Sequence, residues 1–296
     1  MNKKVICFGE VLFDIFPTHQ KIGGAPLNVA LRLSSLGLES HIISRIGNDE
    51  KGRELLAFIE NKGIDRSTIQ LDQTLNTGEV IVKLNDQGSA SYTINYPVAW
   101  DKIEFLPEDQ NLIQNADALV FGSLACRDSA SRETLLQLIE NSRFSVFDVN
   151  LRAPFYSKEL LIHLMTLSDF IKFNDDELYE IARFMKSPYH SLEQNIIFIA
   201  EKTNTNHICV TKGRHGAVLF QNSTMFYNSG YNVDVIDTVG SGDSFLAGLL
   251  FMLLNKKHPQ EAIDFSCALG ALVAKNSGAN PIISSAEINQ FINPKL

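Results

Sequence analysis

Residues Asp237 to Phe245 read DTVGSGDSF, and the chain runs straight on into LAGLLFMLL. A carboxylate and a Gly-Ser-Gly turn at the mouth of an apolar helix suit an anion. The first N–H groups of a helix lack intrahelical acceptors, and its dipole adds partial positive charge. Gly240 and Gly242 lack a Cβ and let a ligand approach the backbone, with Ser241 barely larger between them. With the Asp243 backbone they could form a nest of donors aimed at phosphate oxygens. Asp243 can then accept a proton from an attacking hydroxyl while the amides offset the charge of a transferring phosphoryl group. Taken alone, the stretch reads equally well as a plain helix start.

Three further clusters carry polar groups at spacings that suit a ligand. In KIGGAPLNVA, Gly23 and Gly24 precede a helix starting near Pro26, and Asn28 lies in its first turn. Asp14 stands in the apolar VLFDIF, where a carboxylate needs solvent or hydrogen-bond donors; paired sugar hydroxyls or backbone N–H groups would serve. In FDVNLR, Asp148, Asn150 and Arg152 alternate and can point to one side where a strand leaves the sheet. A structural pairing of Asp148 with Arg152 explains that stretch as well. In KFNDDELYE, Asn174 can cap a helix whose positive end Asp175, Asp176 and Glu177 favour, and capping alone accounts for it. There is no G-x-x-x-x-G-K-[ST], no G-x-G-x-x-G after the first strand, no H-E-x-x-H and no G-x-S-x-G. A P-loop kinase, a simple nicotinamide dehydrogenase, a zinc peptidase and a serine hydrolase are therefore disfavoured.

These residues need a scaffold, and the pattern supplies one. Short apolar strands (VICFG, HIISRIG, ALVFGS, FSVFDVN, DFIKFN, HICVTKG, AVLFQ) alternate with helical stretches at 26–37, 49–63, 131–142 and 156–167. Strand and helix in turn argue for an α/β fold with a mostly parallel sheet covered on both faces. One region breaks the rhythm: TGEVIVKLNDQGSASYTINY, from Thr77, predicts two alternating strands around the turn NDQG. With EVLFDIF, from Glu10, it predicts a small antiparallel sheet from about 10–22 and 77–100, inserted in a single domain. That sheet could be a lid, a subunit interface or an extension of the main sheet.

The 296 residues suffice for one large α/β domain, and 45% hydrophobic with 20% charged residues is ordinary for a globular chain. A net charge of −8 without a Lys/Arg run speaks against nucleic acid or an anionic membrane as partner. Cys7, Cys126, Cys209 and Cys267 form no C-x-x-C pair, which suits buried, reduced thiols. MNKKVICFG reads as a first strand, not a signal peptide, and a cytoplasmic location is expected.

Together the four stretches resemble the ribokinase-like family of ATP-dependent carbohydrate kinases. DTVGSGDSFLAGLL looks like that family's C-terminal signature and GGAPLNVALRLSSLG like its N-terminal one, in matching order along essentially the whole chain. Within the family, GGAPLN, TGEV, AWD at 99–101, GSLACRDSASRET and FDVNLRAPFY are most similar to bacterial fructokinases. Ribokinases usually carry a basic residue after the paired glycines, where Ala25 and Pro26 stand here.

The resemblance implies a three-layer α/β/α sandwich with a small β-sheet lid, and these roles. Asp243 would be the base, and Gly240, Ser241, Gly242 and the Asp243 backbone the anion hole; the family more often has Ala at the Ser241 position. Asp14, Gly24, Asn28 and Arg152 would bind the sugar, with Asn150 nearby. Asn174 and Glu177 match an N-x-x-E element that positions Mg²⁺ largely through water. Thr211, Gly213 and Gly216 match a nucleotide-binding turn, and Asn276, Gly278 and Ala279 would border adenine. Many relatives bind K⁺ near the first acid of the signature, here Asp237, and often form homodimers through the lid. The implied reaction is phosphoryl transfer from ATP to a sugar hydroxyl, with O6 of D-fructose foremost. 2-Keto-3-deoxygluconate, ribose or a nucleoside are rival acceptors, and a catalytically silent sugar-binding regulator is a rival of another class.

Overall fold

The computed structural model describes residues 3–84 and 90–294. In chain order the elements begin with β1 (Lys4–Phe8), β2 (Leu12–Ile15), β3 (Gln20–Gly23), α1 (Ala25–Ser35), β4 (Glu39–Gly47), α2 (Glu50–Asn61), β5 (Ile69–Asp72), β6 (Gly78–Leu84) and β7 (Ala90–Ile94). The middle holds α3 (Pro107–Gln114), β8 (Ala118–Gly122), α4 (Ser129–Asn141), β9 (Ser145–Asp148), α5 (Lys158–Thr166), β10 (Phe170–Asn174), α6 (Asp175–Phe184) and α7 (Leu192–Thr203). The last third holds β11 (His207–Thr211), β12 (Ala217–Gln221), β13 (Thr224–Asn228), α8 (Ser241–Leu254), α9 (Pro259–Ala274) and α10 (Ser285–Ile292). Of these, β3, β5, β13, α3, α7, α9 and α10 add to the elements expected from sequence.

Successive side chains of a strand point to opposite faces, so parity along each strand decides which core a residue joins. Ile6, Phe8, Leu119, Phe121, Phe147, Ile171 and Phe173 pack on one face, against α3 to α7. Val5, Cys7, Ala118, Val120, Val146, Phe170 and Cys209 pack on the other, against α1, α2, α8 and α9. A strand apolar on both sides must be covered on both sides, and the result is a three-layer α/β/α sandwich.

The main sheet runs β13-β12-β11-β10-β9-β8-β1-β4-β5. It is parallel from β11 to β5, and β12 and β13 continue it antiparallel at one edge. After β1 the chain adds β4 on one side and returns to β8 on the other. The order therefore reverses at β1, where the strand ends open a crevice suited to ligands.

The second sheet runs β3-β2-β6-β7. It is mixed, not antiparallel as the alternation predicts: β2 pairs antiparallel with β3 but parallel with β6, and β6 pairs antiparallel with β7. The parallel pair arises because β2 and β6 belong to separate excursions from the body. The predicted NDQG turn lies outside the described residues.

Two helices set the site. α1 starts at Gly24, whose φ is 114° and where a Cβ would run into the Glu10 carbonyl, so glycine is required. α8 starts at Gly240 with φ 74°, where a Cβ would come within 2.5 Å of Ala279. From Ser244 to Leu250 α8 is wholly buried, and Arg32 of α1 donates from Nε to Ser244 Oγ at 3.0 Å. All four cysteines are free and buried. Among the described residues no helix is long and apolar enough to cross a membrane.

Candidate active site

A cleft of about 580 Å³ opens at the carboxyl ends of the parallel strands. Asp14, Gly24 and Asn28 line it from the β2 and α1 side, and Asn150, Arg152, Asn174, Glu177 and Thr211 from the strand ends. Gly240, Gly242, Asp243 and Ala279 close it at the start of α8, while Val80, Tyr92 and Ile94 of the small sheet reach over it. Residues from all four sequence clusters thus meet in one cavity.

Asp243 occupies the first turn of α8, and its Oδ2 accepts 2.8 Å from Asn28 Nδ2. Asn28 Oδ1 in turn accepts from Asn280 Nδ2 at 3.0 Å, so α1 fixes the carboxylate and the loop after α9 fixes Asn28. Burial and the nearby Asp148 carboxylate push the Asp243 carboxyl up to about 6, against the pull of Asn28, Lys172 and Arg152. Ser241 N–H donates to Thr238 O at 3.2 Å, and Ser241 Oγ to Gly270 O at 2.9 Å. The expected anion hole loses the Ser241 amide for that reason. The amides of Gly242 and Asp243, on residues that line the cleft, are first-turn donors without an intrahelical acceptor.

The strand ends are ordered by charge. Asp148 does not pair with Arg152, as one reading of FDVNLR had it; both its oxygens accept from Lys172 Nζ, at 2.8 and 2.9 Å. Arg152 is exposed and donates from Nη1 to Leu151 O at 2.9 Å. Nor does strand alternation align the trio, because β9 ends at Asp148 and Asn150 has a φ of 39°. Asn174 and Glu177 form a reciprocal capping box at 2.8 Å each way, and the other Glu177 oxygen accepts from Leu151 N–H at 2.8 Å. Burial and then Asp148 raise the Glu177 pKa, and burial raises that of Asp14.

Metal fit follows from these bonds. Each Glu177 oxygen keeps one lone pair after its backbone bond, and Glu177 and Asn174 line the cleft, which suits Mg²⁺ held through water. Asp237 accepts from Val239 N–H and Gly278 N–H at 3.0 Å each, and Lys21 Nζ stands 3.4 Å away. An internal cation therefore already shares the carboxylate expected to serve K⁺. Gly213 and Gly216 flank a short helical turn beyond Thr211, and Asn276 binds Leu272 O at 2.9 Å; these two glycines, Asn276 and Gly278 lie outside the cleft lining.

Sequence reasoning missed Glu10, Lys172 and Asn280. Glu10 lies two residues beyond the end of β1 and lines the cleft, 3% exposed, with Oε2 lacking a partner among the described residues. Burial pushes its carboxyl up to about 7. The readable signal for Lys172 was a single charge in the apolar FIKF, since a charge in a doubly covered strand must be paired.

The model of the pfkB family of carbohydrate kinases matches residues 2–286. The chain is 28% identical to a fructokinase of Vibrio alginolyticus over 96% of this chain and 97% of that one. It is 29% identical to the aminoimidazole riboside kinase of Salmonella typhimurium, covering 99% and 96%. The fructokinase of Vibrio cholerae O395, solved with fructose, ADP and calcium ion, superposes with a TM-score of 0.84 at 25% identity, covering 98% and 99%.

Proposed function

We propose, from the premise that this chain belongs to the pfkB family of carbohydrate kinases, that it transfers the γ-phosphoryl group of ATP to O6 of D-fructose. The observation that carries the reading is Asp243, held by Asn28 in the cleft beside the open amide of Gly242. Asp243 takes the proton of the sugar hydroxyl, the freed oxygen attacks the γ-phosphorus in line, and the bond to the ADP oxygen breaks. The amides of Gly242 and Asp243, with Gly240 shaping the turn, offset the charge on the transferring group.

Asp14, Gly24, Asn28 and Arg152 hold the sugar, with Asn150 beside them. Thr211, Gly213 and Gly216 receive the nucleotide, and Asn276, Gly278 and Ala279 border its base. Asn174 and Glu177 would hold Mg²⁺, and the ion would supply charge neutralisation for the phosphates. No step is assigned to K⁺, because Lys21 already faces Asp237. The small sheet acts as a lid that excludes water, which otherwise competes as acceptor. It also clasps a second copy; exposed Tyr92 on β7 and Tyr96 just beyond it support that homodimer, which light scattering tests.

A second reading is favoured by the aminoimidazole riboside kinase relative: the acceptor is a ribosyl compound. A coupled assay of ADP release over fructose, ribose, 2-keto-3-deoxygluconate, nucleosides and aminoimidazole riboside separates the two. Fructose is expected to give the highest kcat/KM. A ribosyl acceptor turning over better replaces fructose, and sugar binding without ADP release from any acceptor overturns the kinase reading.

A further inference from the structure

Beneath the start of α8 the main sheet carries a charge that no step above uses. Lys172 sits on β10 between Ile171 and Phe173, both fully buried, with its own side chain only 8% exposed. By parity it shares the face of Phe170, which packs in the α8 core. Its ammonium has three protons, and two go to the oxygens of Asp148. Lys172 also lines the cleft, as Gly242 and Asp243 do, and its Nζ lies 3.9 Å from where a Cβ would stand on Gly242. Burial works against the charge, but Asp148, with Glu177 and Asp243, outweighs it and raises the Lys172 pKa.

Such a pair is a poor device for stability alone. Desolvating both ions costs about as much as their attraction returns, and an apolar pair of similar volume often serves as well. What an apolar pair cannot do is present a fixed positive charge to the cavity. A lysine is a compact point charge suited to phosphate, and in a water-poor cleft a cation already in place needs no reorganisation as charge develops.

We infer that Lys172 is a further catalytic residue: its third N–H and its charge meet the transferring phosphoryl group from the sheet side, next to the amides of Gly242 and Asp243. Asp148 holds the ammonium in position and keeps it from collapsing onto Asp243. This role rests on the phosphoryl-transfer reading proposed above.

The test uses the full chain and the variants Lys172→Met and Asp148→Asn/Lys172→Met. Loss of one preorganised donor is expected to lower kcat of Lys172→Met by roughly 10²-fold, with KM for the sugar changed by less than about threefold. Inhibition by ADP with aluminium fluoride and sugar, which mimics the group in flight, weakens by a similar factor, while inhibition by ADP alone barely moves. The single variant leaves Asp148 buried and unpaired, so its thermal midpoint falls. The double variant removes both charges and recovers the midpoint but not kcat. Recovery of kcat together with stability in the double variant overturns the inference, since the pair is then structural. So does an unchanged response of Lys172→Met to aluminium fluoride. If the unaltered chain releases no ADP with any sugar, the failure lies in the functional reading instead.

Discussion

Two ion pairs are almost wholly buried among the described residues, and they face different cavities. Arg127, in the turn after β8, meets both oxygens of Asp101 at 2.7 and 2.8 Å and donates to Asn95 O at 2.6 Å. Its guanidinium lies 3.9 Å from the Trp100 ring centroid, 4.7 Å from that of Phe155 and 5.0 Å from that of Tyr96. The two side chains are 2% and 0% exposed. The cation packs among carboxylate, carbonyl and ring faces, with Nη1 left without a partner among the described residues, and the pair clamps the segment before α3 to the turn after β8. Lys172 and Asp148 are nearly as buried, at 8% and 7%, yet both line the cleft and the ammonium keeps a proton uncommitted. Burial of charge therefore does not mark function by itself. The cavity that the cation faces does: Lys172 shares the cleft with Asp243, whereas Arg127 faces a separate cavity of about 410 Å³ walled by Tyr96, Phe155 and Tyr156.

The contrast can be broken by experiment. Asp243→Asn on the cleft side is expected to keep the fold and ATP binding while lowering turnover by roughly 10²–10⁴-fold, as for a lost general base. A near-normal rate of ADP release would show that the cleft does other chemistry. At the separate cavity, Arg127→Met strands Asp101 and is expected to destabilise the chain by about 3–5 kcal/mol. Urea unfolding measures that loss, and turnover per folded molecule should stay near that of the unaltered chain. A stable Arg127→Met variant that cannot turn over would erase the distinction.

A pH series sharpens it further. The Asp243 carboxyl titrates at about 6, above the usual carboxylate range, and the base works only when ionised. Activity is thus complete above that value and lost as pH falls through it, with kcat/KM dropping about tenfold per unit below the limb. Glu10, pushed up to about 7 in the same cleft, takes no part in the proton transfer, so Glu10→Gln should leave the acid limb in place. A limb near the ordinary carboxylate pKa would mean that burial and Asp148 do not hold the Asp243 carboxyl up. The smallest effect concerns Asp237: exchanging K⁺ for tetramethylammonium should leave turnover nearly unchanged, because Lys21 already faces that carboxylate. Strong activation by K⁺ would place a metal where the ammonium stands.

What sequence revealed and what it hid follow one physical divide. The places of Asp243, Gly240 and Asn28 were legible because they depend on helix starts, which are local events of a few residues. The sandwich was legible because strands apolar on both faces have one stable solution. The Lys172–Asp148 pair was not, since parallel neighbours β9 and β10 bring together residues 24 apart and alternation does not name partners. The parallel pairing of β2 with β6 joins segments more distant still, and period-two patterning carries no strand direction. Ser241 was misread because its type and place fit an open amide, whereas a single bond to Thr238 O closes it.

α8, buried all round from Ser244 to Leu250 and tied to α1 by Arg32, carries its acidic residue on the part of the molecule least able to loosen alone. Warming cannot detach that residue from Asn28 without dissolving the hydrophobic interior itself. Heat inactivation and melting should therefore coincide in one transition, with no folded but idle species in between.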